Sequence, residues 1–478
     1  MKRIAVIGGG MSGTAAAYQL AREGAQDGNV AFTLYEASSR LGGIVETARV
    51  ETADGRWIIE CGPDAWVTEK PWARELAVEL GLESEILPSN DAKRQTYLLR
   101  SDQLVLMPKD MRMMVPTTWE PIESSPLFSD EARAAYRREA ESAAKLTALA
   151  LKDGEDESVA SFVRRHFGDE VTRTLAGPLL AGIFGGDVEM LSVRAVMPAF
   201  VKMEREHGSL IAALQSRKPS GGPAPAVFTT LASGLQTLVD RMQAAIPAEA
   251  IRLETPVTGL TRKGSKWHIT LFSKVTLQTD HIPQNESFDE VILATPAHVT
   301  RALLAPVHAD FGRLLDMEAS SAIIVALGFA PKDTRNLQIP EGFGYLTFQP
   351  GPEDLMACTF ADQKYLGRVP AGAVLLRAFF GGEAGLRLMS ESDEALIARA
   401  LRQLSAALGP LPAPALRLVR RAPRSLPQYA VGHPARMEEL AALTAQFPGL
   451  HLVGNAYHGV GLPDMVRQGR EAARKATS

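Results

Sequence analysis

The chain has 478 residues, of which 46% are hydrophobic and 22% charged, and this ordinary globular composition excludes a chain that is disordered throughout. The 51 basic and 55 acidic side chains leave a formal charge of −4, which argues against nucleic acid as the main partner. The two cysteines and nine histidines show no metal-ligand spacing, so we expect neither a disulfide framework nor a bound metal. At about 150 residues per domain, the length predicts roughly three lobes.

We expect no N-terminal targeting segment, because Met1, Lys2 and Arg3 lead directly into the apolar run of residues 4–7. No window approaches the roughly 18 consecutive apolar residues of a membrane-spanning helix. We therefore expect a soluble, cytoplasmic protein. A peripheral contact with the inner face of the cell membrane stays open, as does a homodimer.

The first 45 residues predict one β-α-β unit. An apolar strand at 4–7 is followed by a glycine-rich turn at 8–13, a helix at 14–22 that ends near Gly24, and a strand at 31–36. From about 94 to 208 helix formers dominate. Ser129 is predicted to cap a long helix that stops near Gly154, and Ser158 is predicted to cap a helix at 159–167 that ends at Gly168.

The second half of the chain is dominated by strand patterns. Residues 217–225, rich in proline and glycine, predict a flexible connector. The predicted strands after it are 251–253, 267–272, 291–295, 322–329, 373–380 and 450–453. A helix from about 463 to 476 ends the chain. The whole pattern predicts an α/β nucleotide-binding domain that is interrupted by a helical lobe and a β-rich lobe.

The turn at 8–13 carries the spacing of a dinucleotide fingerprint. It follows a buried strand and opens a helix, so Gly8 can make the tight turn, Gly10 can let the backbone approach a pyrophosphate, and Gly13 can let helix and strand pack closely. Glu36 ends the second strand, where a carboxylate can accept hydrogen bonds from ribose hydroxyls and repels a 2′-phosphate. These residues predict an ADP-binding site and disfavour NADP.

Three further glycine turns bear on the choice between FAD and NAD. Arg40, Gly42 and Gly43 offer amides and a cation near the pyrophosphate, and Gly62 opens a second turn in the first lobe. The third turn, 454–464, leads into the last helix, whose N-terminus could stabilise negative charge on a reduced flavin. A strand–loop–helix without a ligand is the alternative. Together with the fingerprint, the third turn favours FAD.

These motifs resemble the FAD-binding half of the amine oxidase and carotenoid desaturase superfamily. More narrowly, the chain resembles the oxygen-dependent porphyrinogen oxidases, which act on protoporphyrinogen IX or coproporphyrinogen III in haem synthesis. The narrower resemblance is carried by segments 181–187, 191–192, 202–204, 207–209, 342–346 and 454–464, so it spans nearly the whole chain.

The resemblance implies a set of binding residues, in addition to those argued above. Together the predicted FAD contacts are Gly8, Gly9, Gly10, Met11, Ser12, Gly13, Glu36, Ala37, Arg40, Gly42, Gly43, Gly62, Pro63, Asp64, Ala65, Val257, Asn455, Val460, Gly461 and Leu462. Val257, predicted on a strand at 251–257, would contact the adenine, and Asn455 and 460–462 the flavin ring. The predicted substrate residues are Arg94, for a propionate, and Phe343, Gly344, Leu346 and Phe379, for the macrocycle.

The resemblance also implies an α/β fold in three parts. These are a discontinuous Rossmann-like FAD-binding domain (1–88, 219–300 and 425–478), a mixed β-sheet substrate domain (89–93, 209–218 and 301–424), and an inserted α-helical lobe (94–208) that could dock on a membrane. The expected reaction is oxidation of a porphyrinogen to the porphyrin by FAD, with oxygen as acceptor and peroxide as product. The preference between coproporphyrinogen III and protoporphyrinogen IX stays open.

We expect hydride transfer from a methylene bridge to flavin N5, three times per porphyrin, and identify no required side-chain acid or base. His458 is a candidate base, but a single histidine in a turn more often packs or forms hydrogen bonds. The alternative is another flavin oxidase or desaturase of the superfamily, acting on amines or polyenes. Against an amine oxidase, no lysine lies between Lys274 and Lys332, where such enzymes carry one near N5. A non-catalytic FAD-binding protein is a third reading, and it would show no turnover.

Overall fold

Strands and helices alternate along the chain in a computed structural model that describes residues 1–27, 29–216, 225–272, 284–351 and 353–478. In chain order, the strands are β1 Lys2–Ile7, β2 Val30–Tyr35, β3 Thr47–Thr52, β4 Gly55–Glu60, β5 Trp66–Val67, β6 Ile86–Pro88, β7 Thr96–Arg100, β8 Gln103–Leu106, β9 Met111–Arg112, β10 Val115–Pro116, β11 Phe228–Leu231, β12 Ile251–Arg252, β13 Val257–Lys263, β14 Lys266–Leu271, β15 Gln284–Phe288, β16 Glu290–Leu293, β17 Ala319–Phe329, β18 Gly344–Thr347, β19 Ala357–Phe360, β20 Val374–Phe380, β21 Leu416–Pro427 and β22 Leu450–Leu452. The α-helices are α1 Met11–Asp27, α2 Trp72–Glu79, α3 Glu120–Ser124, α4 Asp130–Glu141, α5 Ala143–Leu149, α6 Val159–Val171, α7 Gly177–Phe184, α8 Val193–Val196, α9 Pro198–His207, α10 Leu210–Gln215, α11 Gln236–Ala245, α12 Ala297–Leu304, α13 Ala309–Leu314, α14 Ala361–Lys364, α15 Gly382–Arg387, α16 Asp393–Leu408, α17 His433–Thr444 and α18 Leu462–Thr477.

A five-stranded parallel sheet, in the order β12-β2-β1-β16-β22, forms the nucleotide-binding half. β1 lies at its centre because residues 4–7 are apolar on both faces and are at most 3% exposed. Helices α1 and α18 pack side by side on the sheet, and Gly469 permits this, since a Cβ there would lie 2.1 Å from the Ser12 carbonyl oxygen. This arrangement is the predicted Rossmann-like α/β fold.

A seven-stranded mixed sheet, in the order β21-β17-β20-β19-β18-β7-β8, forms the second half. One face of it is covered by α15 and α16 around a core that includes Tyr345, Cys358 and Ala378. The predicted helical lobe at 94–208 is too long at its start, because β7 and β8 belong to this sheet. The predicted boundary at 300 also falls inside α12, whose Leu303 and Leu304 pack in the core of the first sheet.

Helices α3 to α10 enclose a separate core in the helical lobe. Ser129 and Ser158 are N-caps, as predicted, since their hydroxyls accept from the amides of Ala132 and Ser161. The prediction of one long helix up to Gly154 is wrong in its extent, because the helix is interrupted at Ser142, which separates α4 from α5.

Two more local predictions are corrected by the structure. Helix α1 continues past Gly24 to Asp27, because a single glycine costs a helix only about 1 kcal/mol. Val257 does not share a strand with Ile251; β12 ends at Arg252 and Val257 begins β13.

Residues 217–224 of the predicted connector lie outside the described residues. Of the helices in the described ranges, none is both long and apolar enough to cross a membrane.

Candidate functional site

A cavity of about 390 Å³ opens where the parallel strands β1, β2 and β16 end. Ligands of open α/β sheets bind at this carboxyl edge. The predicted cofactor residues that line it are Gly8, Gly10, Met11, Ser12, Glu36, Ala37, Gly42, Gly43, Val257 and Asn455. The structure therefore brings together residues from four distant parts of the sequence around one space.

The N-terminus of α1 is shaped to accept a ligand. A Cβ on Gly10 would meet no atom within 4 Å, so the backbone leaves open space on the cavity side. The hydroxyl of Ser12 is buried, and no hydrogen-bond partner is described for it. Because Thr14 makes the first intrahelical bond, to the Gly10 carbonyl, the amides of Met11, Ser12 and Gly13 have no partner among the described residues and can donate to an anion.

Glu36 closes the other side of this turn. One carboxylate oxygen accepts from the Gly9 amide at 2.6 Å, and the other accepts from the amide and hydroxyl of Ser38, each at 2.7 Å. The carboxylate is thus held in place beside the cavity. A carboxylate fixed there matches the role of binding ribose hydroxyls.

Several predicted cofactor residues shape the turns rather than line the cavity. Arg40 donates to the carbonyl of Gly43 at 2.7 Å and to that of Val45 at 3.0 Å, and it pairs with Glu46, so its charge is already engaged. Of the last turn, Leu462 packs in the core of the first sheet and Val460 packs against the core of the helical lobe. Gly9, Gly13, Pro63, Ala65 and Gly461 also lie outside the cavity lining.

A row of side chains crosses the seven-stranded sheet on the face away from its core. Leu346 pairs with Ala357, and Ala357 pairs with Phe379, so all three project to the same side. All three are half-buried, whereas their neighbours Tyr345 and Cys358 on the other face are almost fully buried. Leu346, Ala357 and Phe379 therefore form an apolar row on the face opposite the sheet core, and Leu346 also packs against the core of the helical lobe.

Arg377 connects this surface to the turn at 62–65. Its guanidinium, 2% exposed, donates to the Gly62 carbonyl and pairs with Asp64 at 3.0 Å, and it lies 5.1 Å from the centre of the Phe379 ring. Lys364 contacts both oxygens of Asp64 at 3.0 Å. Burial raises the pKa of Asp64, but Lys364 and Arg377 outweigh it and hold that pKa below its usual range. The turn is thus fixed against the apolar face.

The other predicted substrate residues lie apart from the row. Phe343 is buried just before β18 and is separated from that strand's alternation by Gly344, whose φ is +139°. Gly344 keeps β18 and β19 close, because a Cβ there would lie 1.9 Å from the Cys358 carbonyl oxygen. Arg94 lies near the start of β7 with a half-exposed side chain, 3.7 Å from Asp91.

Comparison with known proteins identifies the family of the chain. Residues 11–477 match the family described as flavin containing amine oxidoreductase. The chain belongs to this family. The coproporphyrinogen III oxidase of Bacillus subtilis (strain 168) is 34% identical over 99% of this chain and 98% of its own length. The protoporphyrinogen oxidase of Bos taurus is 30% identical over 99% and 98%. A crystal structure from Exiguobacterium sp. 255-15, provisionally named a protoporphyrinogen oxidase, has a TM-score of 0.81 and 30% identity, covering 99% and 98%.

As a flavin-containing amine oxidoreductase, the chain uses FAD, and the cavity has the features that this group needs. The open space at Gly10, the unpartnered Ser12 hydroxyl and the amides at the start of α1 suit the pyrophosphate, and Glu36 suits the ribose. We propose that Val257 and Thr255 line the adenine end, and that the turns at 62–65 and 454–461 lie at the flavin end.

Sequence reasoning missed a large part of the lining of this flavoprotein. Segments 294–299, 317–319 and 423–425 all face the cavity. One signal was present: the run Thr295-Pro296 follows β16, the strand beside β1, and turns after adjacent parallel strands meet at the same edge. The segments around Glu318 and Arg424 carry no local motif, and only the fold brings them to the site.

Proposed function

We propose that the protein oxidises a porphyrinogen to the porphyrin with FAD and molecular oxygen, and that coproporphyrinogen III is its preferred substrate. The proposal rests on similarity over the full length to coproporphyrinogen III oxidases. It is supported by the apolar sheet face beside the proposed flavin end of the site. The preference follows the names of the relatives, since coproporphyrinogen III oxidases from three bacterial genera are 29–34% identical over nearly the whole chain.

The reaction removes six hydrogens from the porphyrinogen in three two-electron steps. FAD, when bound, would supply the two-electron chemistry of each step, and oxygen would take up the electrons as hydrogen peroxide, so that one porphyrin would require three oxygen molecules. The chain holds the macrocycle, which is a large apolar disc with carboxylates at its rim. Leu346, Ala357 and Phe379 supply an apolar wall, and Arg94 supplies a half-exposed cation whose ion pair with Asp91 is long, at 3.7 Å.

The work of the protein is positioning rather than proton transfer. Arg377 fixes the 62–65 turn and Phe379 relative to each other, so the reacting carbon and the acceptor keep a constant separation. Burial lowers the pKa of His458, and this side chain is therefore neutral near pH 7; its carbonyl accepts from Gln468. We assign no side chain as acid or base.

The test is aerobic turnover of the purified yellow protein on freshly reduced coproporphyrinogen III and protoporphyrinogen IX. Porphyrin fluorescence measures the product, and a reaction without enzyme corrects for spontaneous oxidation. We expect faster oxidation of coproporphyrinogen III, with three peroxides per porphyrin. If neither substrate is oxidised while FAD is bound, the proposal is rejected, and amines and polyenes become the substrates to test.

We further propose that the protein acts in the cytoplasm and contacts the membrane peripherally through the helical lobe. Ile183 and Met190 of the helical lobe are 51% and 60% exposed, and the backbone of Val431, itself 46% exposed, lies beside Met190 because its amide donates to the Met190 carbonyl. Co-sedimentation with anionic lipid vesicles tests this contact, and a double variant Ile183→Ser with Met190→Ser should release the protein. The homodimer stays a prediction.

A further inference from the structure

Two aromatic side chains outside the cavity hold the backbone of the turn that follows β22. The Tyr429 hydroxyl donates to the Asn455 carbonyl at 2.7 Å and accepts from the Gly459 amide at 3.0 Å. His433 Nε2 donates to the Tyr457 carbonyl at 3.2 Å. The two rings are stacked, with centres 4.0 Å apart and planes 12° from parallel. Three backbone groups of one turn are therefore held by one stacked pair.

The turn that they hold is part of the candidate flavin site. Gly454, Asn455 and Ala456 line the cavity, and α18 begins a few residues later at Leu462. Gly459 has a φ of +107°, which only glycine adopts easily, and neither a strand nor a helix spans residues 453–461. Its shape therefore depends on contacts from outside, and the two rings supply three of them.

The segment that carries Tyr429 is itself fixed by the helical lobe. The Tyr429 carbonyl accepts from the Ser192 amide at 2.7 Å, and Asp156 accepts from the Gly432 amide at 2.8 Å. Gln428 donates to the Phe184 carbonyl at 2.9 Å. Gly186 makes room for this contact, since a Cβ there would lie 1.8 Å from the Gln428 side-chain oxygen. Residues 428–432 thus join the helical lobe to the turn.

Both side chains keep a constant protonation state near pH 7. Burial lowers the pKa of His433 to about 4, so the ring is neutral and its Nε2 carries the proton that the Tyr457 carbonyl accepts. Burial raises the pKa of Tyr429, so its hydroxyl stays protonated and continues to donate to Asn455. The contacts therefore do not change with moderate changes of pH.

We propose that Tyr429 and His433 are positioning residues, which hold the 454–461 turn in the shape that binds the flavin ring and anchor that turn to the helical lobe. The inference rests on flavin binding and not on the identity of the oxidised substrate. It assigns a role to Gly186 as well, because this glycine allows the helical lobe to approach Gln428.

The test is Tyr429→Phe, which keeps the stacked ring and removes both hydrogen bonds of the hydroxyl. Tyr136→Phe is a matched control, because Tyr136 is fully buried and donates one hydrogen bond, to the Met114 carbonyl at 3.0 Å, inside the helical lobe. We measure FAD release after dilution of each holoenzyme by flavin fluorescence, the visible flavin spectrum, the midpoint potential and the Tm.

We expect Tyr429→Phe to bind FAD roughly tenfold more weakly, as the loss of two hydrogen bonds implies. Its flavin spectrum should change and its midpoint potential should fall, because the loosened turn and the start of α18 stabilise the reduced flavin less well. Tyr136→Phe should lower the Tm and leave the flavin readouts as in the wild type.

The proposal is overturned if Tyr429→Phe lowers the Tm as Tyr136→Phe does and leaves FAD release, spectrum and potential unchanged. If Tyr429→Phe yields no folded protein, His433→Phe decides, since it keeps an aromatic ring for stacking and removes the bond to Tyr457. Weaker FAD binding then supports the proposal, and wild-type binding overturns it. None of these readouts uses a porphyrinogen, so failure of the proposed substrate is detected separately.

Discussion

The two glycines of the fingerprint should respond to the same substitution in opposite ways. Gly10→Ala places a methyl group where the structure has no atom within 4 Å, in a backbone conformation that alanine adopts. Gly13→Ala places a methyl group 1.8 Å from the Gly8 carbonyl oxygen. The first change thus occupies the space for the ligand, and the second disturbs the protein itself.

The distances set the expected magnitudes. Ordinary contact is 3.4 Å or more, so at Gly13 the helix and the turn must separate by about 1.6 Å, from 3.4 − 1.8. Overpacking of this kind costs about 1–3 kcal/mol in stability. Gly10→Ala should leave the stability of the apoprotein within about 1 kcal/mol of wild type, or raise it slightly. If its methyl group meets the pyrophosphate at a similar cost, FAD binding weakens by about 5- to 150-fold.

The assay compares the FAD content of each purified variant with the midpoint of urea unfolding of its apoprotein. We expect Gly10→Ala to be stable and poor in FAD, and Gly13→Ala to unfold at a lower urea concentration. Full FAD content in Gly10→Ala would refute the assignment of that open space to the cofactor. If Gly13→Ala is as stable as the wild type, the close approach of α1 to the Gly8 carbonyl is not the reason for a glycine at position 13.

Three further predictions concern charged side chains. Arg377→Lys should lower porphyrin formation, because lysine cannot contact Gly62 and Asp64 while covering the Phe379 ring. Arg368→Lys, which changes another buried arginine, is the control and should lower it less. Equal losses of steady-state turnover in the two variants would contradict this prediction. Arg94→Ala should raise KM for the porphyrinogen and leave the flavin spectrum unchanged. An unchanged KM would mean that Arg94 is a surface residue without a role in substrate binding. Burial lowers the pKa of His166, but two buried glutamates outweigh it and raise that pKa above 6.5. The stability that the charged imidazole adds to the fold is therefore present below pH 6.5 and is lost as the pH rises through the pKa of His166 in the folded protein. The Tm difference between wild type and His166→Gln should accordingly narrow at alkaline pH.

The sequence predicted those parts of the fold and the site that depend on neighbours along the chain. The fingerprint at 8–13 could be assigned because a buried strand, a glycine turn and a helix follow one another within about twenty residues. Ser129 and Ser158 could be assigned as caps for the same reason, since a cap acts on the next three residues. Helix ends were less predictable, because the small cost of one glycine does not end α1 at Gly24.

The remaining features depend on register between distant strands. That Phe379 and Leu346 share a face follows from their common partner Ala357, and no pattern in the sequence indicates that pairing. The same holds for Arg377, which in the sequence is one basic residue in an apolar strand. Its burial against Asp64 requires the turn at 62–65 and β20 to meet, although about 310 residues separate them.

The two sides of the site are therefore set by different kinds of contact. On the sheet side, Arg377 joins the turn at 62–65 to the apolar face through a buried ion pair, which is costly to disturb because a charge would remain without a partner. On the opposite side, Tyr429 and His433 hold the 454–461 turn through neutral hydrogen bonds, and residues 428–432 transmit the position of the helical lobe. A movement of the helical lobe, for example on contact with a lipid surface, would thus be transmitted to the 454–461 turn through residues 428–432. Spectra of the holoenzyme with and without anionic vesicles would detect this, and the change should be absent in Tyr429→Phe.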